Sequence, residues 1–288
     1  MLAPLSLSLV IALASQNAPS PLQTEFEKLD QAGESAKVVE LFRRTGDGVM
    51  GLIDSYLEGS LSAWEKATAD GGSVDDATRE QIAAMHARAL RGARAAAEAF
   101  HSPDIVDYAA SFVGWNDDQK VRFRNGQRAC GAAGRALREK DFEKAMEHAH
   151  QGLEYAWGLG DWWGTAMALS RMGRAYEGLG KPEEALRSLS SARIFFHGLA
   201  LYSSAYQLDV AMLPLMIQLD RIPRAEETIA RALAASDGYN DPRSRVRILE
   251  QRAVLEEKRG HSDAAAGTRA EIEALLKTIE SSEKESNG

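Results

Sequence analysis

The sequence predicts an all-α protein, a solenoid of helix-turn-helix repeats preceded by a helical extension, and three observations carry that reading. Beyond residue 20, apolar residues recur at helical spacing almost throughout, without the sustained alternation that a half-buried strand requires. The interruptions have turn composition: Gly46-Asp47-Gly48, Gly71-Gly72-Ser73, Ser102-Pro103-Asp104, Trp115-Asn116-Asp117, Gly158 to Asp161, Gly180-Lys181-Pro182 and Asp237-Gly238. Four segments, REKDFEKA, GLGKPEEA, QLDRIPRA and KRGHSDAA, end at Ala145, Ala185, Ala225 and Ala265, a step of 40 residues each time (185 − 145, 225 − 185, 265 − 225). A constant step between hairpins marks a solenoid, because each unit buries its apolar face only against its neighbours.

The elements follow in chain order. Residues 1–20 read as an export signal: the apolar run LSLSLVIALA, Leu5 to Ala14, precedes SQNAPSP, and Ala12-Leu13-Ala14 fits a small-x-small cleavage site. The run is too short to span a bilayer as a helix. No Lys or Arg precedes it, and position 15 is Ser, so a lipid anchor would lack its thiol. The expectation is a soluble periplasmic or extracellular chain starting near Ser15; if the segment is instead a short cap helix, the chain is cytoplasmic. Residues 21–115 give about five helices, the longest from Ala77 to Phe100, with Ile82, Met85, Ala89, Ala93, Ala96 and Phe100 on one stripe. Ser73 has an acid three residues on, at Asp76, in a first turn. Ser102-Pro103 and Asp241-Pro242 each place a capping oxygen before a proline at the first helical position. Residues 116–280 hold the repeats, and the polar tail 281–288 is expected to fray.

The second unit carries Leu169, Met172, Gly173, Tyr176, Ala185 and Leu189 where tetratricopeptide repeats place their W-x2-L-G-x2-Y…A-x3-F pattern. Over roughly Asn116 to Glu280 the chain resembles that family, which implies a right-handed α-α solenoid. Gly173 and Ala185 fall where the two helices of a hairpin approach closely, and Tyr176 and Leu189 fill the space beside them. The chain departs from the pattern in three ways. Its step is 40 residues rather than about 34, Leu169 replaces the leading aromatic, and only the alanine recurs in all four units.

Composition narrows the chemistry. The net charge of −8, from 42 acidic and 34 basic side chains with no Lys/Arg block, disfavours nucleic acid. A single cysteine, Cys130, excludes an intrachain disulfide and a clustered-thiol metal site, and among small residues it reads as an inert packed thiol. Phosphate-binding loops and nucleophile elbows are missing from the sequence. The expectation is a non-enzymatic protein with no cofactor. The rival is a helical metal enzyme or sensor using Glu98 with His101 and Glu147 with His150, a doubled Glu-x-x-His of the kind found in helical di-iron sites. His148 and His150 point too far apart on a helix to share an ion. Tyr155, Trp157, Trp162 and Trp163 flank a hairpin, where core packing is the leading role and ligand stacking the second.

The family resemblance implies a concave groove lined by the first helix of each pair. Carried over residue by residue, that line runs through Gln127, Gly131, Gly134 and Arg138, then Met167, Arg171, Arg174 and Gly178. It continues through Gln207, Ala211, Pro214 and Gln218 to Arg247, Gln251, Val254 and Lys258. None of the sixteen is acidic and five are basic, in a chain where acids outnumber bases. The resemblance therefore implies an acidic or carboxylate-bearing protein or peptide held by Arg138, Arg171, Arg174, Arg247, Gln251 and Lys258. Self-association into an oligomer is a further reading. The lysine row of chaperone-tail clamps is absent, its places taken by Cys130, Ser170, Val210 and Glu250.

Overall fold

The structure, a computed structural model, describes residues 19–239 and 241–286. The expected signal lies outside these residues except for its last two positions. All regular elements among the described residues are helical: α1 Pro21–Gln31, α2 Ser35–Thr45, α3 Gly48–Thr68, α4 Asp76–Phe100, α5 Asp104–Val113, α6 Asp117–Glu139 and α7 Phe142–Trp157. They continue as α8 Trp162–Gly178, α9 Pro182–Gly198, α10 Tyr202–Gln218, α11 Ile222–Tyr239, α12 Pro242–Lys258 and α13 Ser262–Ser286, with one 3-10 turn at Ala69–Gly71. From α6 onward each helix packs on the next, and α6 also meets α8 as α10 meets α12. The architecture is that of a helical solenoid.

One turn, repeated, sets the layout. Lys140, Gly160, Gly180, Ala200, Asp220 and Gly260 all have positive φ. At each, the next N–H donates to the carbonyl five residues back: Asp141 to Ala136, Asp161 to Ala156, Lys181 to Tyr176, Leu201 to Phe196, Arg221 to Met216 and His261 to Glu256. A left-handed residue followed by this bond closes a helix and reverses the chain. Only three of the six are glycine, so Lys140, Ala200 and Asp220 hold a conformation that costs an L-residue about 1–2 kcal/mol.

The small residues sit where the repeat needs them. Ala145, Ala185, Ala225 and Ala265 have no exposed surface and occupy the first turn of α7, α9, α11 and α13. A Cβ on Gly173 would lie 2.6 Å from Leu189 Cγ and 3.2 Å from the Ala185 carbonyl, so α8 and α9 meet backbone against side chain. Two local expectations are corrected. Asp75, not Ser73, caps α4, accepting from Thr78 N at 2.7 Å, because Ser73 lies two residues too early for that amide. Ser102 does not cap α5; its hydroxyl donates instead to the Gly198 carbonyl of α9. At the other end of the chain α13 runs through Ser286, with the Ser281 and Ser282 hydroxyls donating back to the Lys277 and Thr278 carbonyls.

The N-terminal region has its own aromatic centre, Phe26 stacked on Phe42 and tilted against Tyr56, and then lies across the repeats. α5 bridges two turns: Ser102, just before it, reaches Gly198, and Trp115, just after it, donates Nε1 to the Leu159 carbonyl at 3.0 Å. α3 and the residue before it reach the start of α10 at one end and the body of α6 at the other. Asp47 accepts from the amides of Tyr202 (3.0 Å) and Ser203 (2.9 Å), supplying the cap that Leu201 lacks. Further along, Glu58 receives Gln127 Nε2 at 2.6 Å, and Glu65 receives Arg124 Nε at 2.8 Å.

Two substitutions test this layout. Lys140→Gly, on an exposed turn, should raise unfolding free energy by about 1 kcal/mol, read from the denaturant midpoint at unchanged slope. Ala185→Glu buries a charge where α8 meets α9 and should lower it by about 3 kcal/mol or more; an unchanged midpoint would show that the register is wrong.

Candidate functional site

The first-helix face is divided by α3. Asp47, Asp54, Glu58 and Glu65 are spaced 7, 4 and 7, which places all four on one stripe of that helix. The stripe reaches the start of α10 through Asp47 and the body of α6 through Glu58, which engages Gln127. Arg124 pairs with Glu58 at 2.6 Å as well as with Glu65, and Lys120 stands over the Trp64 ring. Sequence reasoning missed this arrangement. The visible signal was an acidic line on an otherwise apolar helix, but nothing local says which surface the line meets.

Two carboxyls, one of them on this stripe, are held well above the usual carboxylate range. Burial, then the Glu58 charge, pushes Asp54 up to about 7, against the opposing hydrogen bond from the Tyr108 hydroxyl at 2.8 Å. Asp161 is buried too and rises to about 7 through burial, although its Oδ1 caps Gly164 N at 2.8 Å.

Beyond the reach of α3, the face turns basic. Arg138, Arg171 and Arg174 make no ion pair among the described residues. Arg171 is the most enclosed: its Nη1 meets only the Met167 carbonyl at 3.3 Å and Met167 Sδ at 3.8 Å, and its Nε is buried without a partner. Its guanidinium lies over Gly134, where an added Cβ would sit 3.4 Å from Nε and Nη2. Burial, then the charges of Arg174 and Arg138, pulls its pKa below the usual arginine value. The remaining groove residues are placed differently. Arg247 donates to Ser244 Oγ at 2.6 Å, and Lys258 bonds the Ile217 carbonyl and pairs with Asp220 at 2.9 Å. Gln251 lies half-buried between them.

The other sequence candidates separate. Among the described residues no three His, Cys, Asp or Glu side chains converge on a metal position. His101 ends α4 in the left-handed conformation, and Glu147 and His150 are exposed on α7. Cys130 is buried, with its thiol pushed up to about 11 by burial, and packs where a Cβ on Gly152 would come within 2.8 Å of its sulfur. Trp157 departs from the core-packing expectation: it is 61% exposed. No helix among the described residues is long and apolar enough to cross a membrane.

Asp54→Asn tests the raised carboxyl pKa, since the amide oxygen still accepts from Tyr108. A carboxyl whose pKa is raised by folding stabilises the fold below its unfolded value, and that contribution fades as pH climbs to the folded value. Parent stability relative to the variant should therefore fall between about pH 4 and pH 7, leaving the variant more stable by about 2 kcal/mol at pH 8. Parallel curves in denaturant titrations at each pH would show that Asp54 ionises normally.

Neither protein-family profiles nor the curated proteins give a match to this sequence. Among solved structures, the chain is similar to the crystal structure of BtubC (BKLC) from P. vanneervenii, with a TM-score of 0.48 and 15% identity, covering 91% of this chain and 93% of that one.

Proposed function

We propose that this chain is a non-enzymatic scaffold of tetratricopeptide type, a right-handed stack stepping every 40 residues, that holds an acidic partner segment in the groove of its first helices. The observation that carries the reading is the Arg171 Nε, buried with no acceptor and flanked by two further guanidiniums. A desolvated, unpaired cation is unfavourable in isolation, and an incoming carboxylate relieves that cost with charge-assisted hydrogen bonds of about 1.5–3 kcal/mol each where water is excluded. The basic stretch Arg138, Arg171 and Arg174 is the primary contact, and Arg247, Gln251 and Lys258 extend the wall. The chain's own α3 supports the choice of partner charge, since the covered half of the same face already receives carboxylates. The apolar run before Ala14 supports export, which places the partner outside the cytoplasm.

The test is Arg171→Gln with Arg174→Gln, applied to capture of partner from the native extract. Partner recovery should fall at least tenfold and decline with rising salt in the parent, while the melting temperature stays level or rises, because an unpaired buried charge has been removed. Full recovery by the double variant at low salt would exclude this surface.

A further inference from the structure

The repeat provides an internal comparison on the opposite face, formed by the second helices. Between α9 and α11, Asp209 is 3% exposed and binds two arginines: Arg193 Nε at 2.6 Å, and Arg231 through Nε at 3.0 Å and Nη2 at 2.9 Å. Forty residues earlier, those three positions are Leu169, Leu153 and Ser191. The bridge has no counterpart between α7 and α9, and in its place is an open cleft of about 770 Å3, with Leu153, Leu169, Trp157 and Phe195 among its walls.

The walls are specialised beyond being apolar. Trp157 is held edge-on by Trp162 at 6.0 Å and by Phe195 at 6.3 Å, and those two rings stack at 5.6 Å. The indole is therefore fixed in orientation while most of its surface stays open. At the mouth, Arg122 Nη2 donates to the Glu154 carbonyl at 2.5 Å, lying over Gly158, where any Cβ would come within 2.5 Å of that nitrogen. Arg122 makes no ion pair among the described residues and lines the cleft mouth as an exposed side chain, with the exposed His150 beside it. Glu154 also lines the mouth, leaving the Arg122 and His150 side as the one that favours negative charge.

We infer that this cleft binds a small amphipathic carboxylate, its hydrophobic body between the two leucines and the Trp157–Phe195 pair and its head group on Arg122. The volume lies within the range of small-molecule sites, and an apolar lining with a few convergent polar groups is their usual composition. The commitment to an anion rests on Arg122, whose planar fork matches a carboxylate. The commitment to a small molecule rests on the cleft's limited volume and on walls drawn from four helices, α6, α7, α8 and α9.

Dodecanoate, dodecanol and dodecyltrimethylammonium serve as probes of equal chain length, titrated into the full chain by calorimetry below their aggregation concentrations, with tryptophan emission as a second readout. Dodecanoate should bind one to one, at least tenfold more tightly than dodecanol, and the ammonium least. Arg122→Gln should erase the preference for carboxylate over alcohol, and Trp157→Ala should weaken dodecanoate at least tenfold. Copying the neighbouring bridge, Leu153→Arg with Leu169→Asp and Ser191→Arg, should close the cleft and abolish binding with helicity retained. If that triple variant does not fold, the two single variants decide. Equal affinity for the acid and the alcohol, or dodecanoate binding unmoved by Arg122→Gln and Trp157→Ala, overturns the assignment.

Discussion

The fold depends on a backbone constraint applied at regular intervals: from Lys140 to Asp220 a left-handed residue stands every 20 positions, with another at Gly260, each followed by an amide that reaches five residues back. Because that bond fixes both where a helix stops and where the chain next points, helix length is set by the turns more than by the helix interiors. The tolerance of the interiors follows. Pro214 sits inside α10, and Gly173 and Gly152 sit in α8 and α7, all at positions that intrinsic propensity would penalise. Where the turn holds Lys140, Ala200 or Asp220 in place of glycine, the surrounding packing sustains the strained backbone.

With the spacing fixed, differences between units lie in side chains alone. Position for position, the Arg193–Asp209–Arg231 bridge becomes Leu153, Leu169 and Ser191, and a closed seam becomes a cleft. On the other face, α3 brings carboxylates to the first half of the surface and leaves Arg138, Arg171 and Arg174 outside any ion pair among the described residues. Both surfaces are products of substitution on a constant frame, which is how repeat proteins acquire distinct binding features without altering their cores.

The frame was legible in the sequence because it is local. The step between Ala145, Ala185, Ala225 and Ala265, the breaks at Gly158 to Asp161 and at Gly180, and the cap at Asp241 are each decided within a few residues, and the structure buries the four alanines, turns the chain at both breaks and caps α12 with Asp241. The turns at Lys140, Ala200 and Asp220 carry no local signal, since none of these residues favours positive φ strongly enough to be read. The position of α3 was beyond sequence reasoning for a different reason. Asp47 caps α10 from 155 residues away, and no periodicity within α3 identifies that partner. The candidate site was half legible: Arg171 and Arg174 share a helix face by spacing alone, whereas the enclosure of Arg171 over Gly134 depends on how α6 and α8 approach.

The Asp47 cap also dictates an order of events during synthesis. Its acceptor oxygens leave the ribosome long before the Tyr202 and Ser203 amides exist, an interval of about 8 to 30 s at about 5–20 residues per second. Through that interval α3 can pack with α4 and α5, and Glu58 and Glu65 find Arg124 and Gln127 as soon as α6 is made. Asp47 alone waits, its carboxylate facing water until its two amides arrive. The same helix is thus seated at one end early and at the other only when α10 emerges.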